Sequence, residues 1–410
     1  MTTSATLPSH PLTTASRATG DGPQPPVIRC SDTADFLAAL PFLTGFTAEN
    51  SLFIVFFHGK RSDGAMRVDL PPHRAPELTA ALVDGLCEIL RDTGAGAAGP
   101  ALVITSEQGF AETHGAPWKG LARLLRRRFA REDWPLRELA VVAPDGWACM
   151  LGDRAGERRP LAEIRASPVA AEAAAAAPPP ASLDALGRLP EPDPARTAEI
   201  AACLAELDRR ERSRRGRPVA AGRGPAAATV LHGAARIAGA CFAAGERLPE
   251  PPLVARLIRA AEDPDRWLAL TLTALTRAEF IVDAVGEGEA DRLIGLPLAP
   301  SGSARPDPAP DRSVQGLLSS LSYDRPEPEK LRRVAAVLGD AIAHAPEPRR
   351  PGLLALLAWA WWMIGLQTVS QRFIAQSLEI DPEHRLTLMV GRLNQAPPPW
   401  QLLDLRDGRR

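Results

Sequence analysis

Every convincing strand pattern in this 410-residue chain lies before residue 155, and beyond residue 196 the only periodicity is helical. That division points to an α/β chain, a mixed sheet with flanking helices followed by a mostly α-helical C-terminal domain. The composition changes abruptly between the halves. Ala170–Ala177 is nearly all alanine, Pro178–Pro180 stops it, and the following residues to 195 are Pro-rich, as in a linker. The expected organisation is a disordered Ser/Thr/Pro-rich leader over 1–26, a sheet domain over 27–155, an Ala/Pro-rich linker region over 156–195 and a helical domain over 196–400.

Within the sheet domain, Ser31 or Asp32 is placed to cap a short helix ending at Leu40, with Asp35 favouring its first turn and Pro41 and Gly45 breaking it. Ser51–Phe57 (SLFIVFF) is a continuous apolar run and reads as a buried strand. Ala65–Leu70 (AMRVDL) alternates as its hairpin partner, with residues 58–64 as the turn. Residues 76–92 read as an amphipathic helix with Leu78, Leu82, Leu86 and Ile89 on one stripe and Gly94 as its cap. A strand over 101–105, a helix marked by Leu121, Leu124, Leu125 and Phe129, and two short strands around Pro144-Asp145-Gly146 complete the domain. Helical patterns follow at 196–213, 226–244, 252–262, 265–284, 312–321, 328–344, 352–365, 367–379 and 383–394, with a second Pro-rich loop at 296–311.

The net charge of -1 provides no global field for nucleic acid or an anionic membrane. Leu353–Leu366 is apolar but too short to cross a bilayer comfortably and suits a buried helix. Cys30, Cys87, Cys149, Cys203 and Cys241 are odd in number and dispersed, so a reducing, cytoplasmic setting is expected, with no metal and no cofactor.

Four stretches carry a family resemblance: DFLAALPFLTGFTAENSLFIVFF from Asp35, Arg67-Val68-Asp69-Leu70, SPVAAEA from Ser167, and the Trp-rich helix followed by SLEIDPEHRLTLM. Together they resemble the actinobacterial family of domain of unknown function 4192, over most of residues 28–398. The resemblance implies the fold and the compartment and adds no mechanism. Many members of that family carry a cysteine-rich segment after the last strands of the sheet, whereas here Gly152–Pro160 has no cysteine. Any metal or redox role of that segment should therefore be missing.

The remaining motifs have plain readings beside the functional ones. Gly94–Gly99 matches G-x-G-x-x-G, but a helix precedes it and a strand follows. A dinucleotide loop needs the reverse order, so this is a helix-to-strand connection. Arg67 and Asp69 lie two apart on a strand and share a face opposite Met66 and Val68. They are the candidate binding residues, with a surface ion pair or an edge-blocking charged strand as the plainer reading. Cys149 could be grouped with His114 and Asp153 as a nucleophile cluster, although a small core residue is the simpler assignment. Arg123, Arg126, Arg127, Arg128 and Arg131 form one basic cluster, and six arginines between Arg209 and Arg217 form another. Acidic residues interrupt both, and no aromatic interleaving accompanies them, so solvated helix faces are expected rather than a nucleic-acid site. Residues 351–384 resemble a single tetratricopeptide-type helix pair, with Gly365 at its turn and Ser370 where a packing alanine is usual.

Two functions fit this pattern. The favoured one is a non-enzymatic interaction or regulatory protein with a protein partner, without nucleic acid or membrane and of open oligomeric state. The alternative is an enzyme or small-molecule binder whose site lies at the strand ends of the sheet, near Arg67, Asp69 and Thr105.

Overall fold

The computed structural model describes residues 9–11, 30–72, 75–176, 180–215, 227–242, 248–299, 312–401 and 403. It divides into two compact units, residues 1–186 with 400–410, and residues 187–399. The first is a mixed sheet with helices on both faces, and the second is helical.

Most of the expected leader lies outside the described residues, but Ser9–Pro11 forms strand β1. Helix α1 (Thr33–Thr44) is capped by Asp32, whose side chain accepts the Asp35 N–H. It does not stop at Leu40. Pro41 lies inside it, and the helix runs one turn further, until the Gly45 N–H closes on the Pro41 carbonyl at 2.8 Å. Proline removes only its own donor and leaves its carbonyl able to accept. A two-residue strand, β2 (Phe46–Thr47), follows, and then the hairpin of β3 (Ser51–His58) and β4 (Arg61–Asp69). Its turn is shorter than expected, because pairing resumes at His58–Arg61 after an irregularity beside Phe56.

Helix α2 (Pro76–Thr93) buries Leu82, Val83, Leu86, Cys87 and Leu90, while Leu78 stays 40% exposed. The buried stripe therefore runs through Val83 and Cys87, beside the Leu78–Ile89 line read from the sequence. Strand β5 (Ala101–Thr105), helix α3 (Lys119–Arg131) and strand β6 (Glu138–Ala143) form a crossover unit with β5 and β6 parallel. Strand β7 (Gly146–Cys149) returns antiparallel to β6. The sheet order is β1-β4-β3-β5-β6-β7.

Registry sorts the side chains onto two faces. Leu52, Ile54, Met66, Val68, Leu102, Ile104, Leu139 and Val141 pack into one core with the buried faces of α2 and α3. Ser51, Phe53, Arg67, Asp69, Thr105 and Val142 lie on the opposite face, because the register pairs Ser51 with both Asp69 and Thr105, and Thr105 with Val142. Residues expected as linker complete that second face. Helices α4 (Leu161–Arg165) and α5 (Pro168–Ala176) pack against α1, with Val169 buried on Ala38 and Ala39. The alanine run is helical because alanine has the highest helix propensity, and its small side chains allow close approach to α1. The unit ends with β8 (Ala181–Ser182), parallel to β2, and α6 (Leu183–Leu186).

The second unit comprises α7 (Pro194–Arg215), α8 (Ala227–Phe242), α9 (Pro251–Ala261), α10 (Pro264–Leu275), α11 (Ala278–Ala284), α12 (Glu287–Leu293), α13 (Val314–Leu321), α14 (Pro328–His344), α15 (Pro351–Ile364), α16 (Gln367–Ile380) and α17 (Arg385–Leu393). Every residue of α15 is buried, as its all-round apolar sequence demands. Among the described residues, no helix is long and apolar enough to cross a membrane. Gly365 ends α15 at φ 97°, with its N–H on the Trp362 carbonyl and that of Leu366 on the Trp361 carbonyl. This pair of bonds turns the chain directly into α16. Ser370 is fully buried in that helix pair.

Candidate functional site

The end of the sheet where β3 begins and β4, β5 and β6 finish gathers the polar residues of the second face. Arg67 is 3% exposed. Its Nε donates to Ser51 Oγ at 2.8 Å, and its guanidinium pairs with Asp69, whose side chain is 39% exposed. Ser51 in turn joins β5: its N–H donates to Thr105 Oγ1 at 3.2 Å, and the Thr105 hydroxyl donates to the Ser51 carbonyl at 3.2 Å. Arg67, Asp69 and Thr105 are thus brought together through Ser51, a residue the sequence reading did not single out. Arg67 is neither a surface charge nor an edge charge, since β1 pairs along β4 with His10 opposite Arg67. Unpaired, a guanidinium buried this deeply would be strongly destabilising, and Ser51 and Asp69 are among the partners that hold it.

Beside this network, a cavity of about 360 Å³ opens at the carboxyl ends of β5 and β6. Leu37 and Leu40 of α1, Phe46, Phe53, and Leu161 and Ile164 of α4 give it an apolar wall. Thr47, Glu49, Thr105, Ser106 and Arg165 supply its polar groups, and Arg67 and Asp69 are not among its lining residues. Carboxyl ends of parallel strands are where open α/β sheets hold ligands, and the volume lies within the range of small-molecule sites. Arg165 also lines an adjoining polar depression with Arg158 and Arg159. Those two are already engaged. Arg158 donates to the Asp145 carbonyl at 2.9 and 2.5 Å, and Arg159 pairs with Glu163 at 2.7 Å and lies 4.4 Å over the Trp147 ring. Arg165 makes no such bond among the described residues and remains available at the mouth of the cavity.

A second polar cluster ties the family-like stretches to one another. Asp35, buried in α1, accepts from Ser31 N–H at 3.0 Å and from Ser167 Oγ at 2.6 Å. The Ser167 hydrogen bond foremost, and then those from Ser31, hold its carboxyl below the usual aspartate range. The opening Asp of DFLAALPF and the opening Ser of SPVAAEA are therefore bonded partners, which fixes α5 against α1 and so shapes the wall of the cavity.

The profile of the family described as Domain of unknown function (DUF4192) matches residues 34–280, more than half of the chain. The chain is a DUF4192 protein. No curated protein and no solved structure matches it. The DUF4192 match begins in α1 and ends in α11, so it takes in strands β2 to β8, the cavity and the Asp35–Ser167 pair, and continues past the Leu186/Gly187 boundary. The Trp-rich helix and SLEIDPEHRLTLM lie beyond it.

The other motifs resolve differently. Gly94–Gly99 includes a short 3-10 turn between α2 and β5, and a Cβ on Gly96 would lie 2.3 Å from the Trp134 ring. That glycine serves close packing in this DUF4192 chain. Cys149 shares a hydrogen bond with Glu138 at 3.1 Å, and burial pushes its thiol up to about 11, the reverse of an activated nucleophile. Arg128 pairs with Asp84, Arg126 donates to the Met150 carbonyl at 3.2 Å, and Arg209 and Arg210 both engage Glu206. These arginines are held intramolecularly, and Arg217 and the side chains of Arg214 and Arg215 lie outside the described residues.

Proposed function

We propose that this chain is a cytoplasmic binding protein of an actinobacterial lineage for a small, mostly apolar molecule carrying one acidic group. The carrying observation is the cavity at the ends of β5 and β6, apolar along α1 and α4, with the free Arg165 at its mouth. Burial of apolar surface supplies the affinity, at about 25 cal/mol per Å² before the costs of association are met. Arg165 supplies the preference for an acid, since a guanidinium matches a carboxylate or sulfonate in two parallel hydrogen bonds. Ser106 is placed to orient the polar end of the ligand, since the Thr105 hydroxyl already donates to the Ser51 carbonyl. A small-molecule site at the strand ends gains weight here over the protein-partner reading. The exposed large hydrophobics on the helical unit, Leu248, Phe280, Tyr323 and Leu388, each lie on a different segment.

The test uses two fluorescent probes, the anionic 8-anilinonaphthalene-1-sulfonate and the neutral N-phenyl-1-naphthylamine. Both should bind the full chain saturably, and Leu161→Trp, which fills the cavity, should weaken both at least tenfold. Arg165→Ala should weaken the sulfonate several-fold and leave the neutral dye unchanged. Equal binding of both dyes to Leu161→Trp and the parent chain would remove the cavity from the reading. Unchanged sulfonate binding in Arg165→Ala would remove the acidic group.

A further inference from the structure

A second cavity, of about 410 Å³, lies wholly within the helical unit among α8, the turn from α10 into α11, and α14. Its charged lining residues are Arg236, Arg277, Lys330, Arg333 and Glu279. Four cations thus face one carboxylate. Among the described residues, none of the four side chains makes a hydrogen bond or an ion pair. The same unit pairs its partly buried arginines closely. Arg196 grips Asp340 at 2.7 Å, Arg349 holds Asp208 at 2.6 Å, and Arg259 is held by Glu211 and Glu262. Like charges brought together without counter-charges repel, and the repulsion grows as water is excluded. Here the four cations line one cavity without an ion pair among the described residues, with Glu279 in the lining and Glu327 near Lys330 as the only partial counter-charges that those residues show. Lys330, one of the three lysines in the chain, is half-buried there, with Glu327 as its near carboxylate. Burial foremost, and the Arg333 charge after it, hold its ammonium below the usual lysine range.

We propose that this cavity binds a small molecule bearing a di- or triphosphate. Three features select that class. Four cations against the Glu279 and Glu327 carboxylates leave an excess of two positive charges, which matches a diphosphate or triphosphate better than a single carboxylate. The charged groups are three guanidinium forks and one ammonium, which are donors only and suit phosphate oxygens. The two threonines of the lining do not compete with that role, because the Thr273 and Thr276 hydroxyls already donate to the Ala269 and Leu272 carbonyls, both at 2.8 Å. Phe242 adds an apolar patch to the wall for the rest of such a molecule. The volume accommodates a ligand of that size. This site is independent of the apolar cavity in the sheet unit and stands or falls separately.

The experiment is calorimetric titration of the full chain with inorganic triphosphate, ATP and a single-stranded RNA 20-mer at physiological ionic strength. The expected result is saturable one-to-one binding of triphosphate or ATP, weakened at least tenfold in the double variant Arg236→Ala/Arg333→Ala and in Arg277→Glu. Tighter binding of ATP than of triphosphate assigns the ligand to the nucleotides, and equal binding assigns it to the phosphate chain alone. Both outcomes support the site. Circular dichroism melts of the variants should match the parent chain, which separates lost binding from lost folding. No saturable binding of either phosphate compound at millimolar concentration, equal binding by parent and variants, or binding of the RNA alone would overturn the proposal.

Discussion

Two groups of cations, one in each unit, are handled in opposite ways. In the sheet unit, Arg67 is buried and held by Ser51 and Asp69, whereas in the helical unit Arg236, Arg277, Lys330 and Arg333 line a cavity with no partner among the described residues. A buried, partnered cation contributes to the fold, and its loss should be read in stability. An exposed, unpartnered cation contributes little to the fold, and its loss should be read in binding. Burial and pairing therefore separate structural from functional charge better than residue type does.

The largest effect tests the structural side. Asp69→Ala removes one charged partner of the buried Arg67 guanidinium and should cost about 3 kcal/mol. The readout is hydrogen exchange of the β3 and β4 amides, whose protection should fall by about two orders of magnitude. Adding Arg67→Met should recover much of the loss, because an apolar side chain of similar length removes the uncompensated charge. If Asp69→Ala left protection unchanged, Arg67 would be no more structural than the cavity cations.

A second effect compares close-packed glycines of the two units. An added Cβ at Gly352, in α15, would lie 2.0 Å from the Ala261 carbonyl oxygen, and the same carbonyl end of Gly352 accepts from Trp267 Nε1 at 2.9 Å. At Gly96 the obstacle is the Trp134 side chain. A backbone carbonyl in a buried helix contact cannot swing aside, and a partly buried indole can. Gly352→Ala should therefore cost about 2 to 3 kcal/mol and Gly96→Ala about 1, in urea unfolding followed by circular dichroism.

Much of this architecture was legible in the sequence, and the misses have physical causes. SLFIVFF announced β3 because a strand buried on both faces must be apolar throughout, and the all-round apolar 353–366 run announced α15 for the same reason. What escaped were features created by contacts distant in sequence. Residues 161–176 read as linker in the sequence because alanine and proline composition reports local preference and not the surface of α1 against which α4 and α5 pack. Pro41 reads as a helix stop, although a late proline leaves the final turn able to close. Arg67 and Asp69 could be placed on a shared face, but the burial of that face depends on α1 and β1, which no local pattern in β4 records. The role proposed for Arg165 rests on its making no hydrogen bond or ion pair among the described residues, which no local pattern in the sequence records.

The third effect concerns the pair joining two of the family-like stretches. Asp35 is held below its usual range, first by Ser167. A carboxyl depressed in the folded state stabilises above its unfolded value near 3.9, and that contribution is lost as pH falls through the folded value. Ser167→Ala should therefore cost about 1.5 kcal/mol at pH 7. The gap between variant and parent should start to narrow only as pH falls below about 4 toward the depressed folded value, where the folded carboxyl becomes protonated. Thermal melts across pH 3 to 7 on both chains check it, and a gap independent of pH would mean that the Ser167 contribution is packing alone.

The smallest effect is the most discriminating. Arg236 and Arg333 are exposed and partnerless among the described residues, so replacing either by alanine removes no ion pair. It relieves repulsion from the remaining cations. Each substitution should change stability by no more than about 0.5 kcal/mol, with stabilisation as the expected sign at low salt. Raising the ionic strength to 0.5 M should erase the gain, since screening removes the repulsion that the substitution relieved. Melts of both variants at low and high salt decide the matter. Destabilisation as large as that of Asp69→Ala would mean these arginines hold the helices together, and the cavity cations would then be structural like Arg67. A small, salt-sensitive stabilisation leaves the parent chain carrying an electrostatic cost in its apo form, which is the mark of a site assembled for an anion from outside.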